Sequence, residues 1–403
     1  MRIIVTTYLS AKIGGVETYI ERLLEMLVEA GHDVFVVFDV SHKPGTPSIA
    51  VPKGVPAYHL QSAGLESVIE ELNAIDGAVV LANSLDSMLY TVGRRIRHAI
   101  AFYAHTYVGS CITGMRINRL PSPSPCEREF GPACLLNYFP RRCGGLSPLT
   151  MIRSYRQQVE RRRTLPHVDL VIANSDAVAR QFSTAGVAAE TLHPVLDTVG
   201  GVARTEFRRA DARSLVFVSR FEDYKGGEQL LESLPTVASL AGMPVRLTMV
   251  GEGSQRYAWQ RQAERLTAKD SRLSVRFTGW LGSDGIAEVL EDSDVIVVPS
   301  VWPEPFGLVG LEAARLGIPS AAFSVGGIPE WLSDGVNGHL ADGRDCSPQN
   351  LAAAVVRCVS DLAHFRNLSE GAVQRRASFS PEAHLRRLEE LLHATAALRA
   401  KHC

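Results

Sequence analysis

Short apolar runs and amphipathic stretches alternate along this chain, and the alternation starts afresh near its middle. Residues 2–9 interleave β-branched side chains and predict a strand. After Gly14 and Gly15, VETYIERLLEMLVEA has the spacing of a helix closed by Gly31, and DVFVVFD predicts a second strand, giving a β-α-β unit. Further strands are expected in GAVVLAN (77–83), AIAFYAH (99–105) and DLVIANS (169–175), each ending at a polar residue. The pattern restarts at SLVFVSRFEDYKGGEQLLESL, again strand, loop, Gly-Gly and helix. Strands follow within VRLTMVGEG (245–253) and VRFTGWLG (275–282). Val295 to Val298 is short and wholly apolar, as a doubly covered parallel strand should be. Pro299 and Pro303 then hold an extended loop, and a helix is expected from Phe306-Gly307 to Leu316, stopped by Gly317 and Pro319. The final segment, PEAHLRRLEELLHATAALRA, predicts an amphipathic helix.

A chain of 403 residues exceeds one ordinary core, and the repeated pattern divides it into two α/β domains of Rossmann-like type. HPVLDT (193–198) and the charged, glycine-containing stretch 199–213 read as the linker, giving domains 1–198 and 199–380. Hydrophobic content of 46% and a mean hydropathy of +0.03 describe a soluble globular protein. No apolar run is long enough to span a membrane, the start reads as a strand and not a leader, and seven cysteines point to a reducing cytoplasm.

Several loops at expected carboxyl ends of strands carry chemistry, and such loops bind ligands in parallel sheets. Arg220 and Lys225 place two cations in one loop, or else pair with Glu222 and Asp223 beside them. Glu304 precedes the expected helix start at Phe306, Gly307 and Leu308, whose free N–H groups suit a diphosphate. Glu312 follows on the same helix, and the two carboxylates have the layout to hold two sugar rings of a nucleotide sugar. Gly251 lets backbone approach a base or ribose. Gly14-Gly15 lacks the third glycine of a dinucleotide fingerprint, which argues against a dehydrogenase.

The stretch P-S-x-W-P-E-P-F-G-L-x-x-L-E-A, with S-V-G-G-I-P-E and D-G-V-N-G after it, resembles the retaining glycosyltransferases of family 4. The S-R-x-x-x-x-K-G pattern at Arg220 and Lys225 matches the same family. This resemblance implies the GT-B architecture, two Rossmann-like domains facing across a cleft, with the C-terminal helix 381–403 packing back on the first. It implies that Arg220 and Lys225 neutralise the donor diphosphate, that His105 and Glu304 contact the transferred sugar, and that the Gly14-Gly15 loop approaches donor phosphates and acceptor. The implied donor is a nucleotide sugar, UDP favoured, with no divalent metal requirement, and the implied acceptor is a glycan, a glycolipid or a small molecule. A nucleotide-sugar epimerase and a non-enzymatic nucleotide-sugar-binding protein are the alternatives. No nucleic-acid partner is expected.

Residues 106–150 predict an irregular insert with Cys111, Cys126, Cys134 and Cys143. The cysteines are read as unligated thiols or as a structural zinc site, although no C-x-x-C pair exists. From 94 to 163, thirteen arginines face three glutamates, a formal excess of ten positive charges in a chain of net charge −1. That excess predicts peripheral contact with the inner face of an anionic membrane and an enzyme of cell-surface polysaccharide or glycolipid synthesis.

Overall fold

The structure is a computed structural model that describes residues 1–11, 14–41, 47–85, 95–184, 186–195 and 201–402. Arg94 and the linker residues 196–200 lie outside the described residues. The chain forms two compact units. One comprises Met1–Met115, Arg128–Asp197 and Phe379–Cys403, and the other Arg116–Glu127 and Thr198–Ser378. The sequence reading gave all of 1–198 to the first domain; residues 116–127 instead belong to the second unit. Arg119 anchors them there, its Nε donating to Asp223 Oδ2 at 2.7 Å.

The first unit is built on a seven-stranded parallel sheet. Its strands are β1 (Arg2–Leu9), β2 (Asp33–Val40), β3 (Ala57–His59), β4 (Ala78–Ala82), β5 (Ala99–Ala104), β8 (Leu170–Ala173) and β9 (Ala189–Thr191), in the order β3-β2-β1-β4-β5-β8-β9. β4 and β5 are buried along their whole length, as apolar strands covered on both faces must be. Helix α1 (Gly15–Glu29) buries Tyr19, Ile20, Leu23, Leu24, Met26 and Leu27 against this sheet. The spacing is that of one helical face.

The insert is more ordered than its sequence predicts. β6 (Ile117–Asn118) and β7 (Ser124–Pro125) pair as a hairpin, and two helices follow, α2 (Ala133–Asn137) and α3 (Pro148–Thr164). Ile112, Phe130 and Tyr138 form a small satellite core, against which Leu135 of α2 and Met151, Tyr155 and Val159 of α3 pack. Ser147 caps α3 by accepting from the N–H of Thr150, with Pro148 in the first turn.

The second unit holds a six-stranded parallel sheet. Its strands are β10 (Arg213–Val218), β11 (Val245–Val250), β12 (Leu273–Gly279), β13 (Val295–Val298), β14 (Ser320–Phe323) and β15 (Gly338–Ala341), in the order β12-β11-β10-β13-β14-β15. Helix α4 (Gly227–Ala241) follows β10 and α5 (Leu308–Ala314) follows β13. The last helix, α6 (Pro381–His402), belongs to the first unit, where it packs on β4, β5 and α1 and adds Leu388, Leu391 and Leu392 to the core.

Candidate functional site

In the second sheet the chain runs outward from β10 in one direction, then returns to place β13 on its other side. This reversal brings the loops after β10 and β13 together at the carboxyl ends of neighbouring strands, the position at which open α/β sheets bind ligands. Lys225 comes from the first loop and Glu304 from the second. Lys225 Nζ donates to Glu304 Oε1 at 2.8 Å and to Oε2 at 3.0 Å. Ser300 Oγ and Trp302 Nε1 also donate to Oε2, at 2.8 and 2.7 Å. Burial pushes the Glu304 carboxyl up, but the Lys225 ammonium and the three donors outweigh it and hold the group below the ordinary carboxylate range. Oε1, with a single donor, has the greater remaining capacity to accept from a ligand.

Backbone closeness locks the two loops. Gly226 has φ +74°, and a Cβ there would lie 1.7 Å from the carbonyl oxygen of Pro299. Gly326 has φ +57° and would meet the Glu304 carbonyl oxygen at 2.1 Å, while the N–H of Gly327 donates to that same oxygen. Only glycine satisfies both the left-handed backbone and the space.

The alternative pairing of Arg220 and Lys225 with their acidic neighbours does not form. Asp223 engages Arg119, and Glu222 accepts from Ser254 Oγ at 2.7 Å. Arg220 is exposed, reaches Tyr224 Oη at 3.4 Å, and makes no ion pair among the described residues. Helix α5 has seven residues and starts at Leu308, because Gly307 is left-handed and Phe306 stays outside. Phe306 is buried, its carbonyl accepting from Trp331 Nε1 at 2.6 Å. So short a helix has a weaker dipole than the expected 306–316 span, which leaves anion neutralisation mainly to Lys225 and Arg220. Glu312 is exposed on α5, and Gly251 follows β11 directly, with its N–H donating to the Gly279 carbonyl at 2.9 Å. Ser300 and Trp302 escaped the sequence reading although both stand in the quoted motif, four and two residues before Glu304.

In the first unit His105 directly follows β5 and is buried. Its Nε2 lies 2.8 Å from Asn83 Oδ1, so Nε2 carries the proton, and Asn83 Nδ2 donates onward to the Thr6 carbonyl at 3.3 Å. The rings of Tyr19 and Tyr103 enclose the imidazole at centroid distances of 5.2 and 4.5 Å. Burial, reinforced by His384, pushes His105 down to about 3, so it is neutral. Asn83 is a second residue the sequence reading missed; it ends its own strand with the polar residue noted there. Gly14 has an extended backbone and donates to Glu17 Oε2 at 2.8 Å, and a Cβ on Gly15 would meet nothing within 4 Å. Open space therefore lies beside Gly15, whereas a Cβ on Gly14 would meet Glu17 Oε2 at 3.6 Å.

The zinc hypothesis is not supported. Among the described residues no three His, Cys, Asp or Glu side chains gather as a metal site. Cys134 and Cys143 instead pack on the satellite core, with their thiols directed to the carbonyls of Glu129 and Asn137 at 3.8 Å. There they act as small apolar residues with weak donors.

Residues 14–196 match the family profile described as Glycosyl transferase 4-like domain, and residues 212–361 the one described as Glycosyl transferases group 1. Both domains are therefore of glycosyltransferase type, and the chain resembles the family 4 glycosyltransferases through both. An uncharacterized glycosyltransferase of Methanocaldococcus jannaschii is 32% identical over 163 residues, covering 39% of this chain and 40% of its own. A D-inositol 3-phosphate glycosyltransferase of Corynebacterium urealyticum is 30% identical over 242 residues, 56% of each. The chain thus spans about half the length of these curated relatives. The solved structure of Anabaena HepE in complex with UDP and glucose superposes with a TM-score of 0.68 at 19% identity, over 98% of this chain and 100% of that one. The fold is GT-B.

Proposed function

We propose that the protein is a retaining glycosyltransferase that moves a hexose from a nucleotide sugar, UDP-linked in the first instance, to a glycan, glycolipid or small-molecule acceptor. The observation that carries this reading is the buried Lys225–Glu304 pair with the exposed Arg220 beside it, at the switch point of the second sheet. Negative charge grows on the departing diphosphate as the glycosidic bond breaks. Lys225 and Arg220 would stabilise it from fixed positions, which costs no reorganisation at the moment of reaction. Glu304, ionised and held by three donors, suits sugar hydroxyls as an acceptor. Its engagement with Lys225 makes it a poor nucleophile. Retention then follows from attack on the same face, with the departing phosphate taking the acceptor proton. His105, neutral with Nε2 protonated, serves as a hydrogen-bonding partner for the sugar and not as an acid. The Anabaena neighbour, solved with UDP and glucose, supports a UDP donor. The arginine excess of the first domain suits an anionic, lipid-linked acceptor at the cytoplasmic face of a membrane, in cell-surface polysaccharide or glycolipid synthesis.

The test is a thermal-shift panel of nucleoside diphosphates and nucleotide sugars, followed by release of diphosphate with acceptor and assignment of the product anomer by NMR. Stabilisation by UDP and a UDP-sugar, with the donor's anomeric configuration kept, is the expected outcome. No shift with any nucleotide and no diphosphate release would overturn the reading.

A further inference from the structure

The arginine excess between 94 and 163 does not form one solvated field. Arg95 pairs with Glu66, Arg119 with Asp223, Arg116 is buried, and Arg162 donates to the Phe130 carbonyl at 3.1 Å. The first turn of α3 is exposed at 148, 149 and 150, and beyond it the exposed positions fall at 152, 153, 156, 157, 160 and 163, the spacing of a single helix face. Leu149, Ile152, Arg153, Arg156, Gln157 and Glu160 line a shallow groove along it. Arg153, Arg156 and Arg163 make no ion pair among the described residues.

On and beside α3 the insert exposes large apolar side chains that its satellite core does not require. Leu149 is 80% exposed, Leu146 just before the helix 70%, and Leu136 on the adjoining α2 79%, with Phe139 and Ile152 also exposed. The satellite core is already supplied from the other sides, by Leu135 of α2 and by Met151, Tyr155 and Val159 of α3. Five large apolar side chains within 136–152 are thus left to solvent, with arginines one turn further along α3. Exposed apolar side chains gathered in this way mark an interaction surface.

We propose that α2, α3 and the turn between them dock on an anionic bilayer surface, with Leu136, Phe139, Leu146, Leu149 and Ile152 entering the headgroup region and Arg153, Arg156 and Arg163 engaging lipid phosphates. Apolar tips followed by unpaired cations are the arrangement that interfacial helices use. No helix among the described residues is long and apolar enough to cross a membrane, so this face would lie on the bilayer. A second copy of the chain is a poor occupant, because a two-fold contact would set the same arginines against each other. The proposal concerns binding and does not depend on the transfer reaction.

The experiment is co-sedimentation of the full chain with vesicles of phosphatidylcholine alone and of an equal mixture with phosphatidylglycerol, across a salt titration. Binding is expected to the mixed vesicles only, weakening as salt rises. Arg153→Ala with Arg156→Ala should weaken it about fivefold for each arginine. Leu149→Ser with Ile152→Ser should weaken it on the order of tenfold. These side chains are exposed, so circular dichroism and melting should be unchanged, and Leu240→Ser, an exposed position of the second unit, should bind like the parent. Absence of binding to mixed vesicles at low salt would overturn the proposal. So would binding that both double variants retain, or a concentration-dependent dimer lost in Leu149→Ser without any vesicle binding.

Discussion

Glu304 and Lys225 lie 79 residues apart in the chain and meet at 2.8 Å, with both side chains largely buried. Each charge therefore depends on the other for solvation. Glu304→Gln or Lys225→Met alone leaves one buried charge uncompensated and should cost about 3 kcal/mol. The double variant should cost clearly less than the sum, with a coupling on the order of 1–3 kcal/mol. Urea denaturation of the four proteins measures this. Strict additivity would show that the pair is not a unit.

Activity separates the roles of these side chains. Arg220→Ala, Lys225→Ala and Glu304→Gln should each lower the transfer rate by about 10²–10³. Arg220 is the most telling of the three, since it is exposed and lacks an ion pair among the described residues. Its loss should leave the urea midpoint unchanged. Near-parental initial rates in all three variants would remove the assignment.

Two buried imidazoles make the first unit sensitive to acid. Burial, then His384, pushes His105 down to about 3, and burial pushes His384 down to about 4, from an ordinary 6.5. Below about 6.5 the unfolded chain takes up protons that the folded one refuses. Stability is therefore fully present above that pH and falls towards pH 4, by roughly 1.4 kcal/mol per pH unit for each histidine. His105→Gln should flatten the dependence of the urea midpoint between pH 6 and pH 5. An unchanged slope would mean that His105 is not held neutral.

Gly326→Ala places a methyl group 2.1 Å from the Glu304 carbonyl oxygen on a left-handed backbone. Relief requires the Glu304 loop to move. A loss of about 2 kcal/mol is expected, together with weaker binding of nucleotide sugar, read by calorimetry. Gly335→Ala, with nothing within 4 Å of its Cβ, is the comparison that isolates the backbone contribution.

The C-terminal helix carries three leucines of the first unit's core, with Leu388 and Leu392 fully buried. Leu388→Ala should cost about 2–5 kcal/mol. Removal of residues 381–403 should prevent the first unit from folding while leaving native-like melting of the second, which differential scanning calorimetry resolves.

The local elements were legible because their cues are local. Val295–Val298 has the bounds its apolar run gives, and α1 follows from the spacing of its buried leucines. What joins the elements was not legible. The meeting of Lys225 with Glu304 depends on β10 and β13 being neighbours, which periodicity does not encode. The insert read as irregular because Ile112, Phe130 and Tyr138, which order it, are sparse and without period. Helix α5 read as longer than it is, because the left-handed Gly307 excludes Phe306. The neutrality of His105 is a property of its enclosure, and no residue type announces enclosure.

Because α6 completes the core of the first unit, the order of synthesis and the order of folding differ. A ribosome makes Met1–Asp197 early, yet that region lacks Leu388, Leu391 and Leu392 until α6 emerges, after the whole of the second unit. The second unit, apart from its 116–127 segment, is continuous from 198 to 378 and is released whole before then. Domains of nascent chains ordinarily fold from the N-terminus onward. Here the half made first has to wait with an unfilled apolar surface for the length of the other half's translation, and it is the half a chaperone would hold.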